Sequence, residues 1–181
     1  MSKKTVVAAL ILSGAIALGR ADLMKFLERW EGRENIAYAD KLAGGLPTVC
    51  AGLTKHTVNQ PIIVGDYWSD EKCAEVERQV VSKTQLSLAD CIRVPVTQPV
   101  FDALTSHAHN VGVANTCASR AVGLINQGRI AQGCDALAHG ANGQPVWSYV
   151  TQNGSKKFVR GLYNRRLAER SMCLSGINQG G

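Results

Sequence analysis

Residues 30–50 read WEGRENIAYADKLAGGLPTVC, and the way this stretch divides decides the fold. Its first residue closes a helical pattern: Leu23, Phe26, Leu27 and Trp30 recur at helical spacing, with Asp22 placed to cap the start and Gly32 to end it. Its last residues, Thr48-Val49-Cys50, are β-rich and read as a brief strand, while Gly44-Gly45 and Pro47 break the chain between. The same stretch holds a carboxylic acid, Glu31, a second carboxylate, Asp40, read as lying in a polar loop after Tyr38, and a strand hydroxyl, Thr48, able to donate to Asp40 and accept from a water. Those groups suffice to protonate a leaving oxygen and hold a water for attack on a sugar acetal. At about 100° per residue, Glu31 falls at the margin of the apolar stripe, so its carboxyl is expected to border apolar surface, where desolvation favours the protonated form.

Toward the C-terminus, Gly52, Pro61 and Gly65 continue the breaks, and Pro61-Ile62-Ile63-Val64 reads as a second brief strand of a small irregular sheet. Ser69-Asp70-Glu71 reads as a helix start, and Cys73, Val76, Val80 and Val81 carry an apolar stripe toward Leu86 and Leu88. A helix of that length can join two lobes. From Cys91 the pattern reads as helical throughout, with starts at Thr97-Gln98-Pro99 and Ser119, stops at Gly112, Gly128 and Gly143, and a last helix from about Lys156 to Leu174. The expected class is α+β, with a small mixed lobe at 22–68, a linking helix at 69–90 and a helical lobe at 91–181.

Toward the N-terminus, Lys3 and Lys4 precede an uncharged run from Thr5 to Gly19 that ends at Arg20, so residues 1–21 have the form of an export segment. At about 1.5 Å per residue such a helix falls short of the roughly 30 Å hydrocarbon core. It fits a cleaved signal, with Ala17-Leu18-Gly19 as the small-residue site, or a weak anchor able to leave the bilayer, better than a stable transmembrane helix. Six cysteines without a Cys-x-x-Cys pair agree with export and read as disulfides, with buried free thiols as the alternative.

The net charge of +6 favours an anionic partner. The late cluster Lys156, Lys157, Arg160, Arg165, Arg166 and Arg170 reads as a solvated helix face, or else as a patch attracting a polymer or lipid; no nucleic-acid motif accompanies it. His107 and His109 lie roughly 200° apart around a helix and cannot jointly face one metal, so no metal site is expected. Gly140 to Gly143 lacks the strand and lysine of a phosphate-binding loop.

Glu31-Gly32, Asp40 and Thr48 together resemble the Glu, Asp, Thr triad of the phage-type lysozymes, glycoside hydrolase family 24. The resemblance continues through His109-Asn110-Val111-Gly112 and through Gly161-Leu162-Tyr163-Asn164-Arg165-Arg166-Leu167-Ala168-Glu169-Arg170, in the family's order. It implies a two-lobed fold that cleaves the β-1,4 bond between N-acetylmuramic acid and N-acetylglucosamine in peptidoglycan, with inversion and without metal or cofactor. It makes Glu31 the general acid, Asp40 the residue that positions or activates water, and Thr48 a residue that helps to hold it. The chain departs from the family pattern at two points. Seven residues separate Asp40 from Thr48 where five are usual, and Leu53 stands where a histidine is common.

Residues 5–19 further resemble the signal-anchor-release segment of lambdoid phage endolysins. That likeness implies export by an infected Gram-negative host, transient tethering to the inner membrane, then a periplasmic monomer whose catalytic helix docks on release. It also implies the pairing Cys50–Cys73, Cys91–Cys117 and Cys134–Cys173. The competing readings are a lytic transglycosylase, against which Asp40 and Thr48 argue, and a non-catalytic cationic protein that binds wall or membrane.

Overall fold

A computed structural model describes residues 6–41, 44–152 and 154–177. In chain order the elements begin with helices α1 (Val6–Leu12) and α2 (Ala21–Glu28), strands β1 (Glu34–Asp40), β2 (Leu46–Cys50) and β3 (Leu53–Thr54), and helix α3 (Asp70–Ala89). There follow α4 (Gln98–Val111), α5 (Val113–Cys117), α6 (Arg120–Ile125), α7 (Ile130–Asp135), strands β4 (Tyr149–Gln152) and β5 (Ser155–Phe158), and α8 (Arg160–Ser175). The class is α+β, as expected. Contacts divide the chain into one unit of residues 19–83 and another made of the N-terminal residues up to Leu18 together with the chain from Thr84.

In the unit of residues 19–83, β1, β2 and β3 form an antiparallel sheet in that order. Ala37, Val49, Cys50, Leu53, Val58, Ile62, Trp68 and Cys73 bury one another, with Val76 and Val80 of α3 packed against them. Leu23 and Leu27 of α2 bury with Val81. The Cys50–Cys73 disulfide ties the end of β2 to the first turn of α3.

Three expectations are corrected here. Helix α2 stops at Glu28 rather than Gly32, its end tightened by Trp30 N–H donating to Leu27 O at 2.9 Å, so Glu31 stands past the helix. Asp40 is the last residue of a strand rather than part of a loop; Ile36 and Tyr38 are exposed around buried Ala37, the alternation of a half-buried strand. Residues 61–64 form no strand, because Pro61 lacks the ladder donor and the pairing segment lies further on. There, Ala37 N–H donates to Asp66 O, Trp68 N–H to Asn35 O and Gly65 N–H, at φ 95°, to Ala37 O.

In the other unit α4 is buried without interruption from Val100 to Ala108, as befits a helix surrounded by others. Thr97 flanks its start, Gly112 ends it at φ 93°, and the Ser119 hydroxyl accepts from Val122 N–H to cap α6. Disulfides Cys91–Cys117 and Cys134–Cys173 hold this unit, and with Cys50–Cys73 they are the pairing the resemblance implied.

The all-helical expectation after Cys91 fails at β4 and β5, an antiparallel hairpin in which Tyr149 faces Phe158 and Thr151 faces Lys156. Lys156 therefore starts no helix; α8 begins at Arg160. The reason is local: Asn153-Gly154 between Tyr-Val-Thr and Lys-Lys-Phe is hairpin chemistry, and Gly154 takes φ 76°.

The apolar N-terminal segment belongs to this second unit. Val7 is 0% and Ile16 2% exposed, buried with Leu88, Ile92, Phe101 and Leu104, while Leu10, Ile11 and Leu18 pack against the same core. The Gln98 amide accepts from Ala17 N–H at 2.8 Å and donates to Ala17 O at 3.0 Å, a two-point clamp on the backbone. Among the described residues no helix is long and apolar enough to cross a membrane. Lys3 and Lys4 lie outside the described residues.

Candidate active site

Glu31, Asp40 and Thr48 all fall in the unit of residues 19–83. Glu31 is half-buried at a bend between α2 and β1. Asp40 pairs with Leu46, and Tyr38 with Thr48, so the register sets Thr48 diagonally across from Asp40 on one face of the sheet. Before Leu46, Gly44 and Gly45 adopt φ 68° and 84°, and Gly45 N–H donates to Asp40 O at 2.7 Å. Two successive left-handed residues are the conformation glycine alone adopts without strain.

Thr48 is 3% exposed, and its hydroxyl donates to Leu46 O at 3.0 Å. The donor expected to point at Asp40 is thus given to the backbone, which leaves the lone pairs of Thr48 Oγ1 to accept from a water. Leu53 is buried in the core of this unit, and His56 is exposed.

A group that sequence reading missed supports the bend. Arg33 Nη2 donates to Glu77 Oε2 at 3.0 Å, and Arg33 Nη1 lies 3.5 Å from Glu28 Oε1. Glu77 Oε1 accepts from Ala51 N–H at 3.0 Å. One carboxylate on α3 thereby holds the segment after Glu31 and the turn after β2. The signal was present, because Cys73, Glu77 and Val81 recur at i, i+4 and i+8 and place an acid on the buried face of α3. Ligand atoms of Cys50, Cys73 and Glu77 lie within 4.8 Å of one another, yet both sulfurs are consumed by the disulfide, so this set fits no metal.

The helical motifs are built into the core. Glu169 Oε1 accepts from Ser106 Oγ at 2.7 Å, Arg166 Nη2 at 2.7 Å and Arg165 Nε at 3.3 Å, all buried. This corrects the solvated-face reading of Arg165 and Arg166. Burial pushes the Arg166 pKa down to about 10 against the attraction of Glu169, and burial raises that of Glu169 against the pull of Arg166. His107 is fully buried, with Nδ1 2.8 Å from Thr116 Oγ1 and its ring edge-on to Trp147. Burial first, then Arg166 and Arg165, lower its pKa to about 3.

An acid beyond a short helix, a carboxylate and a hydroxyl on neighbouring strands, and a helical unit knit by buried arginine–glutamate pairs define a glycoside hydrolase of lysozyme type. Residues 28–169 match the phage lysozyme family model, and the chain belongs to that family. It is 36% identical over 149 residues to the SAR-endolysin of Pseudomonas phage phiKMV, covering 82% of this chain and 84% of the relative. It is 33% identical over 179 residues to the SAR-endolysin of Escherichia phage 933W, covering 96% and 93%. The fold superposes on the endolysin from Escherichia coli O157:H7 phage FAHEc1 with a TM-score of 0.74 at 27% identity, covering 87% of this chain and 94% of that one. The chain is an endolysin, a muramidase of host-cell lysis.

Proposed function

We propose that Glu31, Asp40 and Thr48 carry the hydrolysis of the β-1,4 bond between N-acetylmuramic acid and N-acetylglucosamine. Glu31 protonates the glycosidic oxygen as the bond breaks, while Asp40 takes a proton from a water attacking the anomeric carbon, and Thr48 Oγ1 accepts the water's other proton in a hydrogen bond. The observation that supports this reading is the strand register, in which Thr48 pairs with Tyr38 and so lies diagonal to Asp40 in the sheet that follows Glu31. Mass spectrometry of peptidoglycan digests tests it. Reducing ends from the wild type, and their loss in Glu31→Gln, are expected; anhydro ends would assign a lytic transglycosylase, and full lysis by Glu31→Gln would assign a non-catalytic wall binder.

The enzyme acts in the periplasm as a monomer after transient tethering to the inner membrane. In support, relatives are named SAR-endolysins, and the uncharged N-terminal run is the segment whose Val7 and Ile16 bury in the helical unit. Membrane burial and core burial of the same side chains exclude each other, so release and completion of that core are one event. Equal specific activity of tethered and released protein would overturn this coupling.

A further inference from the structure

Helix α3 has an open face besides the one it buries. Lys72, Val76, Gln79 and Lys83 recur at i, i+4, i+7 and i+11 and form one stripe along the helix. Between that stripe and residues 57–60, which follow β3, lies a cleft of about 400 Å³, within the size range of small-ligand sites. The cleft belongs wholly to the unit of residues 19–83, and none of Glu31, Asp40 and Thr48 lines it. Its floor is apolar: Val58 is buried with Trp68 and Cys73, and Val76 and Val80 pack against the same core. Its walls are polar, with the amides of Asn59 and Gln60 on one side and that of Gln79 on the other.

The charges along the cleft have an order. Lys72 and Lys83 stand toward opposite ends, about three helical turns or about 16 Å apart, and Glu75 lies between them. The Lys72 ammonium is held 3.7 Å from the centre of the buried Trp68 ring. Among the described residues no ion pair engages Lys72, Glu75 or Lys83. Length, walls and charge order select the occupant. An extended chain rises about 3.3 Å per residue, so the span between the lysines fits a peptide of about five residues. Side-chain amides match the N–H and C=O groups of such a backbone. Glu75 opposes a polymer with a negative charge on every unit and favours one that carries an ammonium group among its carboxylates. A membrane contact presents apolar side chains outward, whereas these valines form a floor.

We propose that this cleft binds an extended zwitterionic peptide, Lys72 and Lys83 taking carboxylates and Glu75 an ammonium group. On a muramidase the source is a peptide stem of the wall with a diamino acid, held away from the catalytic residues; that assignment of source rests on the muramidase reading. Equilibrium dialysis of the full-length protein against a labelled stem tetrapeptide containing diaminopimelate tests it without any need for cleavage. Saturable binding is expected, weakened about tenfold by Lys72→Glu/Lys83→Glu and by an intermediate factor in Lys72→Gln/Lys83→Gln, with kcat on sacculi unchanged in both. Acetylating the free amine of the peptide is expected to weaken binding to the wild type several-fold and to make no difference to Glu75→Gln. Absence of saturable binding, or binding that both lysine variants retain in full, overturns the proposal. A loss confined to binding of phosphatidylglycerol vesicles also overturns it and assigns the lysines to lipid. Sacculi left without new reducing ends by the wild type would instead sink the muramidase reading, while dialysis still reports on the cleft.

Discussion

Arg33 reaches across to Glu77 at 3.0 Å, and this one ion pair fixes the backbone two residues beyond Glu31 to the buried face of α3. The pair is partly shielded from water, and Glu77 also holds Ala51 N–H, so removing Glu77 deprives two groups of their partner at once. Glu77→Ala is expected to cost about 2 kcal/mol in denaturant unfolding and to lower kcat more than stability accounts for, because the bend that carries Glu31 loosens. Normal kcat at a temperature where the variant is fully folded would show that Glu77 serves stability alone.

Thr48 offers a sharper division of roles, since its hydroxyl proton is committed to Leu46 O. Thr48→Ser keeps both the donor and the lone pairs, and retention of most activity is expected. Thr48→Val keeps the shape and removes the acceptor, so a fall of about a hundredfold in kcat is expected with folding retained, as judged by circular dichroism. Equal activity of the two variants would remove Thr48 from the site.

His107 sets an acid sensitivity. Its folded pKa of about 3 lies below the ordinary 6.5 because burial and then Arg166 and Arg165 oppose its charge. Between those values the unfolded chain binds a proton that the folded chain refuses. Stability from this residue is therefore intact above pH 6.5 and is lost as pH falls toward 3, by at most about 1.4 kcal/mol per pH unit. His107→Gln keeps a polar group near Thr116 without titrating. The gap in Tm between wild type and variant is expected to move in the variant's favour from pH 6 to pH 4; a pH-independent gap would contradict it.

These residues differ in how far the sequence discloses them. The α+β order, α4 from its Thr97-Gln98-Pro99 start and the Ser119 cap were legible because periodicity and cap chemistry are local. Strand β1 was not, since Ile36 and Tyr38 are exposed and its pairing depends on Asp66 and Trp68, which lie near it only once folded. The β4–β5 hairpin was announced by Asn153-Gly154, yet the arginines after it made a longer helix look continuous. Arg165 and Arg166 read as surface charge because Glu169 at i+4 and i+3 pairs equally well on a solvated helix face, and only the tertiary approach of Ser106 shows that the set is buried.

The N-terminal segment gives the last test, because Gln98 grips Ala17 through both amide atoms while Ile16 fills the core beside it. Ile16→Ala removes buried apolar volume and is expected to cost about 2–4 kcal/mol, with Gln98→Ala costing less, about 0.5–1 kcal/mol, because Ala17 is exposed and water replaces the lost bonds. Both changes leave the uncharged run intact, so neither should impair membrane targeting. Under the proposed tethering, the expected outcome is a variant that associates with the membrane as wild type does but, in its released form, unfolds at lower denaturant and loses lytic activity in proportion. Undiminished stability of released Ile16→Ala would mean that the segment contributes nothing to the folded enzyme, whereas failure to reach the membrane would tie Ile16 to export instead.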